Sequence, residues 1–316
     1  MMDLVFCGTP LFAVPTLEKL VGAGFRVMLV ATQPDRPSGR GMELAAPPVK
    51  KRALGLGLPI TQPDKIKNNS EFRAQLEHIA PEAIVVVGYG RIIPQWMIDL
   101  PKLGNINLHA SLLPKYRGAA PIQWAIARGE TITGTTTMRI DSGLDTGDIL
   151  LQSEERIKAE DTSLTLASRL AQTGAELMIS TLAGLKNRTI SPRPQDSSLS
   201  TLAPILTRQD GFIDFSRNAA DAWNRLRGFQ PWPGAFTYFR GKTLHLHEAR
   251  PILDVTRVAP GHFRMDNGRL LLGFAHGTVL EVRQLQPEGK RRMDARDFVS
   301  GYRPGEQEKL GEEAGT

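Results

Sequence analysis

A doubly wound, mostly parallel, Rossmann-like α/β sheet followed by a small, OB-like β-barrel is the architecture this sequence predicts. Three observations lead there. Short apolar runs rich in β-branched residues alternate with helical patterns through the first half. A polar stretch with prolines and serines then breaks the periodicity between residues 187 and 198. Beyond residue 205, short alternating segments recur between Gly and Pro, as in small antiparallel barrels.

In chain order, Leu4–Cys7, Val27–Ala31, Ala83–Val87, Ile106–Leu108 and Thr135–Ile140 read as strands. Val14–Leu20, Pro48–Leu54, Phe72–Ile79 and Pro121–Ala127 read as the helices between them. The unbroken Ala-Ile-Val-Val-Val run at 83–87 suits a strand covered on both faces. Residues 161–186 carry one long helical pattern. In the second half Ala219–Arg227 is the helix candidate, and Lys242–His247, Arg269–Leu272 and Thr278–Val282 read as barrel strands. Domains are therefore expected at 1–186 and 205–316, joined by a linker at 187–204. In open sheets of this class ligands bind beyond the carboxyl ends of the strands, so chemistry is expected in the loops that follow them.

Composition narrows the function classes. Apolar residues make up 41% of the 316, too many for a disordered chain, and the length suits about two domains. Cys7 is the sole cysteine, which excludes intrachain disulfides, Cys-cluster zinc sites and CxxC redox chemistry, and suits a reducing cytoplasm. No apolar run approaches the roughly 18–20 residues of a membrane helix. The first Lys or Arg is Lys19, so no secretory signal is visible. A cytoplasmic protein that avoids membranes is expected. The net charge of +6 is concentrated in residues 205–304, where 16 Lys and Arg stand against 10 Asp and Glu, and an acidic tail occupies 305–316. That imbalance fits an anionic partner such as nucleic acid, and equally fits a solvated basic face.

The densest chemical segment runs from Asn105 to Pro121. Asn107 and His109 are two apart at the end of a strand, so both project from one face of the pleat. Histidine exchanges protons near neutral pH, and an asparagine amide can donate to a developing oxyanion. Taken alone, the pair is as readily an asparagine satisfying a loop beside an ordinary histidine. Asp141-Ser142-Gly143-Leu144-Asp145-Thr146-Gly147-Asp148 follows the next strand, either as a turn that presents Asp145 to His109 or as a polar hairpin turn. Gly8-Thr9-Pro10-Leu11-Phe12-Ala13 stands where a dinucleotide enzyme would show GxGxxG, and it does not match. Phosphate-cradling GxxxxGK[ST], GxSxG and HExxH patterns are also missing. His245 and His247 lack an evident metal partner and read as barrel or surface residues. Finally, sixteen residues separate the second strand from the following helix, and they include the basic, Gly/Pro-punctuated run Asp35–Gly41. That is long for a connection usually of about 2–6 residues, and its arginines suit phosphates or unpaired bases.

Together these residues resemble the 10-formyltetrahydrofolate-dependent formyltransferases. The resemblance rests on Ile106–Pro114, on Arg117–Ile122 and on Gly143–Asp148. It extends to Gly8-Thr9-Pro10, Gln33–Pro37 with Gly39-Arg40-Gly41, Val85–Val87 with Tyr89-Gly90, and Phe229–Gly234, covering residues 3 to 300. It implies a catalytic set of Asn107, His109 and Asp145, with Asn107 and protonated His109 stabilising a tetrahedral oxyanion and Asp145 helping to move the proton. It implies folate contacts at Ser111, Leu112, Leu113 and Pro114, with Tyr89, Gly90, Ile92 and Asp141 walling the pterin pocket, and no metal. It also implies an initiator methionyl-tRNA as acceptor, reached by Arg36 and Arg40 and by the basic C-terminal barrel, in a monomeric enzyme. Met42 and Glu43 follow the Gly-Arg-Gly where related loops carry lysines, which leaves Arg40 more of the phosphate contact.

Three rival readings remain on the sequence alone. One is a formyltransferase acting on a nucleotide sugar or glycinamide ribonucleotide. Another is a 10-formyltetrahydrofolate hydrolase with a similar triad. The third is a non-catalytic RNA-binding protein, whose signature would be a lost Asn, His or Asp; here all three are present.

Overall fold

The computed structural model describes residues 2–38, 43–253, 257–305 and 307–311. The first half contains β1 (Asp3–Gly8), α1 (Val14–Gly22), β2 (Arg26–Ala31), β3 (Arg36–Ser38), β4 (Glu43–Ala45), α2 (Pro48–Gly55), β5 (Ile60–Thr61) and α3 (Ser70–Ile79). It continues with β6 (Ala83–Val87), α4 (Gln95–Ile98), β7 (Asn105–His109), α5 (Pro121–Ala127), β8 (Ile132–Arg139), β9 (Ile149–Arg156) and α6 (Ser163–Lys186).

Seven of these strands form one sheet in the order β5-β2-β1-β6-β7-β8-β9. The pairings from β5 through β7 are parallel, whereas β7–β8 and β8–β9 are antiparallel. The strand expected at Thr135–Ile140 therefore exists but runs against its neighbour. Its partner β9 escapes sequence reasoning because only its first residues are fully buried, and the rest read as a polar edge. Strand order reverses between β1 and β6, which opens a crevice at their carboxyl ends.

The period of two in β1 and β6 divides the core. Leu4, Phe6, Val85 and Val87 join Leu17 and Leu20 of α1 and Met178 and Leu182 of α6 on one face. Val5, Cys7, Ile84 and Val86 join Phe72 and Leu76 of α3 on the other. Cys7 is fully buried, and that burial pushes its thiol well above the ordinary range.

Two compact units divide the chain. The first comprises Met1–Pro121, Ile132–Arg156 and Ala167–Pro204, and the second Ile122–Thr131, Ile157–Leu166 and Ile205–Thr316. The break expected at 187–204 is thus not a free linker. Arg193 exchanges two backbone hydrogen bonds with Ile149, each 2.8 Å, and the Arg117 amide donates to the Thr201 carbonyl at 2.8 Å. Polar prolines look like linker from sequence, yet here they form a strap along the first unit. The second unit recruits two upstream segments: Trp124 meets Phe229 edge to face at 5.2 Å, and Arg227 donates to the Asp161 carbonyl at 3.0 Å. Such long-range packing leaves no local pattern.

The second unit adds α7 (Ala219–Gly228), β10 (Ala235–Phe239), β11 (Lys242–Ile252), β12 (Phe263–Asp266), β13 (Arg269–Gly273), β14 (Val279–Pro287), β15 (Met293–Asp294) and α8 (Ala295–Tyr302). Its antiparallel sheet runs β10-β11-β14-β13-β12, with β15 on β14. The end strands β10 and β12 meet through side chains. Phe239 and Phe263 lie 6.3 Å apart, and Phe298 of α8 is 5.4 and 5.9 Å from them. An aromatic plug thus draws the two ends of the sheet together.

Candidate active site

Alternation along β7 sends Leu108 into the core and leaves Asn107 and His109 on the opposite face. Asn107, half-buried, pairs in register with Val86 of β6 and Met138 of β8. His109 is buried. Beyond it the chain folds back on itself. Ser111 Oγ donates to the Lys115 carbonyl at 2.6 Å, and Thr136 Oγ donates to the Ser111 carbonyl at 2.7 Å and accepts from the Leu113 amide at 3.1 Å. The Leu113–Pro114 peptide is cis. Tyr116 adopts a left-handed conformation at φ 62° and aims its carbonyl at His109 Nε2, 2.8 Å away. A carbonyl only accepts, so Nε2 carries a hydrogen and the ring tautomer is fixed.

The other ring nitrogen, Nδ1, faces Asp145 Oδ2 at 3.6 Å. That is beyond hydrogen-bonding distance, so the pair leaves room for a reacting atom or a water to engage both groups. Asp145 is itself left-handed at φ 52°, and its Oδ2 accepts the Gly118 amide at 2.9 Å. Asp141 shapes this loop, accepting from the Gly143 amide at 3.0 Å and from Thr146 Oγ at 2.8 Å. Two glycines are required by close approach. A Cβ on Gly147 would sit 1.9 Å from the Arg139 carbonyl oxygen, and one on Gly118, at φ +121°, would sit 2.6 Å from that of Ala203.

The remaining sequence candidates are placed as follows. Ser111 and Leu113 are buried, and Leu112 and Pro114 half-buried. The Tyr89 ring points into the core, only 2% exposed, beside Cys7, Ile84 and Met97. The Tyr89 ring is therefore committed to the core. Its carbonyl already accepts from Thr9 Oγ at 3.1 Å and Gln33 Nε2 at 3.0 Å, while Gly90 accepts from the same Gln33 amide at 3.0 Å. Ile92 is 92% exposed. Asp141 acts on its own loop.

The long loop after β2 folds as the two-stranded hairpin of β3 and β4, which sequence reading did not foresee. Arg36 opens the hairpin, is exposed, and reaches Gln33 Oε1 at 3.4 Å. Arg40, with Met42, lies outside the described residues. At the hairpin base Asp35 accepts from Gln62 at 2.8 Å and Lys50 at 2.7 Å, contacts that hold its carboxyl below the usual range. Sequence reasoning also missed Thr136, Gln152 and Gln195. Gln152 Nε2 donates to the Leu113 carbonyl at 2.9 Å, and Gln195 Nε2 donates to the carbonyls of Asp145 at 2.8 Å and Gly147 at 2.7 Å. No local pattern marks them, since each acts across the chain. Among the described residues no group of three or more His, Cys, Asp or Glu is arranged to hold a metal ion, and no helix is long and apolar enough to cross a membrane.

A buried, tautomer-fixed imidazole and a carboxylate beside it at a strand end suit proton transfer and stabilisation of a developing oxyanion. Comparison with known proteins identifies the family. Residues 2–182 match the family model described as formyl transferase, and residues 205–303 match that described as formyl transferase, C-terminal domain. A methionyl-tRNA formyltransferase of Koribacter versatilis is 64% identical over 98% of this chain and 99% of its own. One from Acidobacterium capsulatum is 61% identical over 98% and 100%. Among solved structures, an N-formyltransferase from Helicobacter canadensis, in complex with folinic acid and dTDP-3-aminofucose, superposes with a TM-score of 0.67 at 19% identity, covering 91% of this chain and 100% of that one. At that identity it shares the fold.

Proposed function

The chain belongs to the formyl transferase family, and from that premise we propose that it moves the formyl group of 10-formyltetrahydrofolate onto the α-amino group of initiator methionyl-tRNA. The observation that carries the reading is the fixed His109 ring with Asp145 3.6 Å from its free nitrogen, on the face that also bears Asn107. The α-amino nitrogen attacks the formyl carbon, and the carbonyl oxygen becomes an oxyanion. Asn107 and the protonated form of His109, whose Nδ1 then also carries a hydrogen, donate to that oxyanion. Asp145, directly or through a water, takes the proton of the attacking amine and returns it to the departing folate nitrogen. The carbon–nitrogen bond to folate then breaks and the formamide is left on the amino acid. No covalent enzyme intermediate is needed.

The folate reading draws on Ser111, Leu112, Leu113 and Pro114, on the turn at Tyr89, Gly90 and Ile92, and on the loop that Asp141 holds. Ile92 and Leu144 suit it, because both are large apolar side chains left exposed, at 92% and 62%, on two of these loops. For the tRNA reading, Arg36 stands on the first hairpin strand, Arg40 follows it four residues on in the sequence, and the basic excess of residues 205–304 offers further phosphate contacts. The names of the two bacterial relatives, each similar along its whole length, favour this acceptor over a nucleotide sugar or glycinamide ribonucleotide. The lone, buried Cys7 suits a reducing, cytoplasmic setting.

The test compares formyl transfer to charged initiator methionyl-tRNA, charged elongator methionyl-tRNA, and buffer alone. Transfer to the initiator only is the expected result. Formate release in buffer would instead identify a hydrolase, and no turnover by protein that binds tRNA would reject the enzymatic reading.

A further inference from the structure

We infer that Gln195, clamped by Arg117, is a positioning residue that sets Asp145 against His109; this rests on the reading of Asp145 as catalytic given above. Asp145 needs outside support, because its φ of 52° lies in the left-handed region that non-glycine residues rarely adopt. The support comes from a segment distant in sequence. The two hydrogens of the Gln195 amide are directed to the carbonyls of Asp145 and Gly147, at 2.8 and 2.7 Å, so the amide spans the turn.

Arg117 fixes which way that amide faces. Its Nε and Nη2 donate to Gln195 Oε1 at 3.1 and 2.7 Å. A guanidinium only donates, so the oxygen must face Arg117 and the nitrogen must face the Asp145 turn. Arg117 is itself buried, and its backbone is bracketed by the strap: its amide donates to the Thr201 carbonyl at 2.8 Å and its carbonyl accepts from Ala203 at 2.7 Å. The next residue, Gly118, donates its amide to Asp145 Oδ2. Asp145 is thereby held at its carbonyl by Gln195 and at its carboxylate by Gly118, and both are tied to Arg117. The segment whose composition marked it as a linker is thus a structural part of the site. It acts through Asp145 and touches no reacting atom.

Gln195→Glu separates this role from simple packing. The variant keeps its shape and still accepts from Arg117, but it presents an oxygen to two carbonyl oxygens, so the turn must move. A displacement of an ångström in catalytic geometry costs up to about a hundredfold in rate. The expected result is kcat lowered by about 10- to 100-fold, both KM values within about threefold, and an almost unchanged unfolding midpoint. In an Asp145→Asn background the same substitution should cost almost nothing further, because the group it positions is already disabled. Wild-type kcat in Gln195→Glu overturns the inference, and so does a loss that multiplies fully with that of Asp145→Asn. Should Gln195→Glu fail to fold, Gln195→Asn, one methylene shorter, carries the same cycle. If Asp145→Asn alone keeps full activity, the catalytic reading of Asp145 has failed, and that result is distinct from a failure of the positioning role.

Discussion

The histidine–aspartate pair and the arginine hairpin lie on the same unit and are held in opposite ways. His109 and Asp145 are fixed by the backbone of Tyr116 and Gly118 and by the side-chain amide of Gln195, groups from two separate stretches of the chain. The β3–β4 hairpin has three-residue strands whose second strand is wholly exposed, and among the described residues Asp35 and Gln33 tie it at its base through their side chains. On the roles proposed above, groups that meet a transition state are over-determined, whereas a segment that reads a large, charged partner needs reach more than precision.

If this contrast is right, the largest loss belongs to the pair. Asp145→Ala should lower kcat by about a thousandfold while tRNA affinity stays within a few fold. Filter binding and steady-state transfer on one preparation check both, and a matching loss of binding would break the distinction. Gly147→Ala should come next, because its Cβ meets the Arg139 carbonyl oxygen at 1.9 Å; about 2–3 kcal/mol of stability should be lost in urea unfolding, together with activity. An unchanged midpoint would mean the loop is less constrained than its geometry indicates. On the hairpin side, Arg36→Ala should raise the tRNA KM about fivefold and leave the folate KM alone, flattening the log–log salt slope by about one unit. Equal effects on both substrates would remove the hairpin from tRNA recognition.

The smallest effect concerns acid. The Gln62 and Lys50 contacts hold the Asp35 carboxyl below its usual range, so the support they give the hairpin is complete above about pH 4 and is lost as pH falls through the lowered value. Exchange of the β3–β4 amides, corrected for the intrinsic pH dependence, should rise modestly as pH falls below about 4. Asp35→Asn should remove that dependence, and a variant with the same profile as wild type would show the anchor lies elsewhere.

Part of the candidate site was legible in local patterns. Asn107 and His109 show their common face through spacing alone, whereas the segment of Asp145 reads equally well as a polar hairpin turn, and the resemblance assigned Asp145 to the set. The parallel strands were legible for a similar reason, since doubly covered strands such as Ala83–Val87 are continuously apolar. Sequence reading faltered where one residue answers a distant one. β9 exposes half its length, so its pattern fades. Tyr89 lies beside a turn of positive-φ glycines, and only the fold decides that its ring turns inward. Gln195 sits in a run of prolines, serines and polar residues, and its partners lie 50 and 78 residues away in sequence.

The placement of Cys7 has a practical consequence. It is the only thiol in the chain, it belongs to the strand at which the sheet order reverses, and no part of it reaches solvent. Thiol reagents act on exposed thiolates, so the folded protein should be inert to them until β1 comes apart from its neighbours. Nature has in effect installed a single-site reporter in the heart of the first unit. The rate at which Cys7 is labelled clocks the opening of the catalytic sheet, with no engineered probe and no second cysteine to confuse the count.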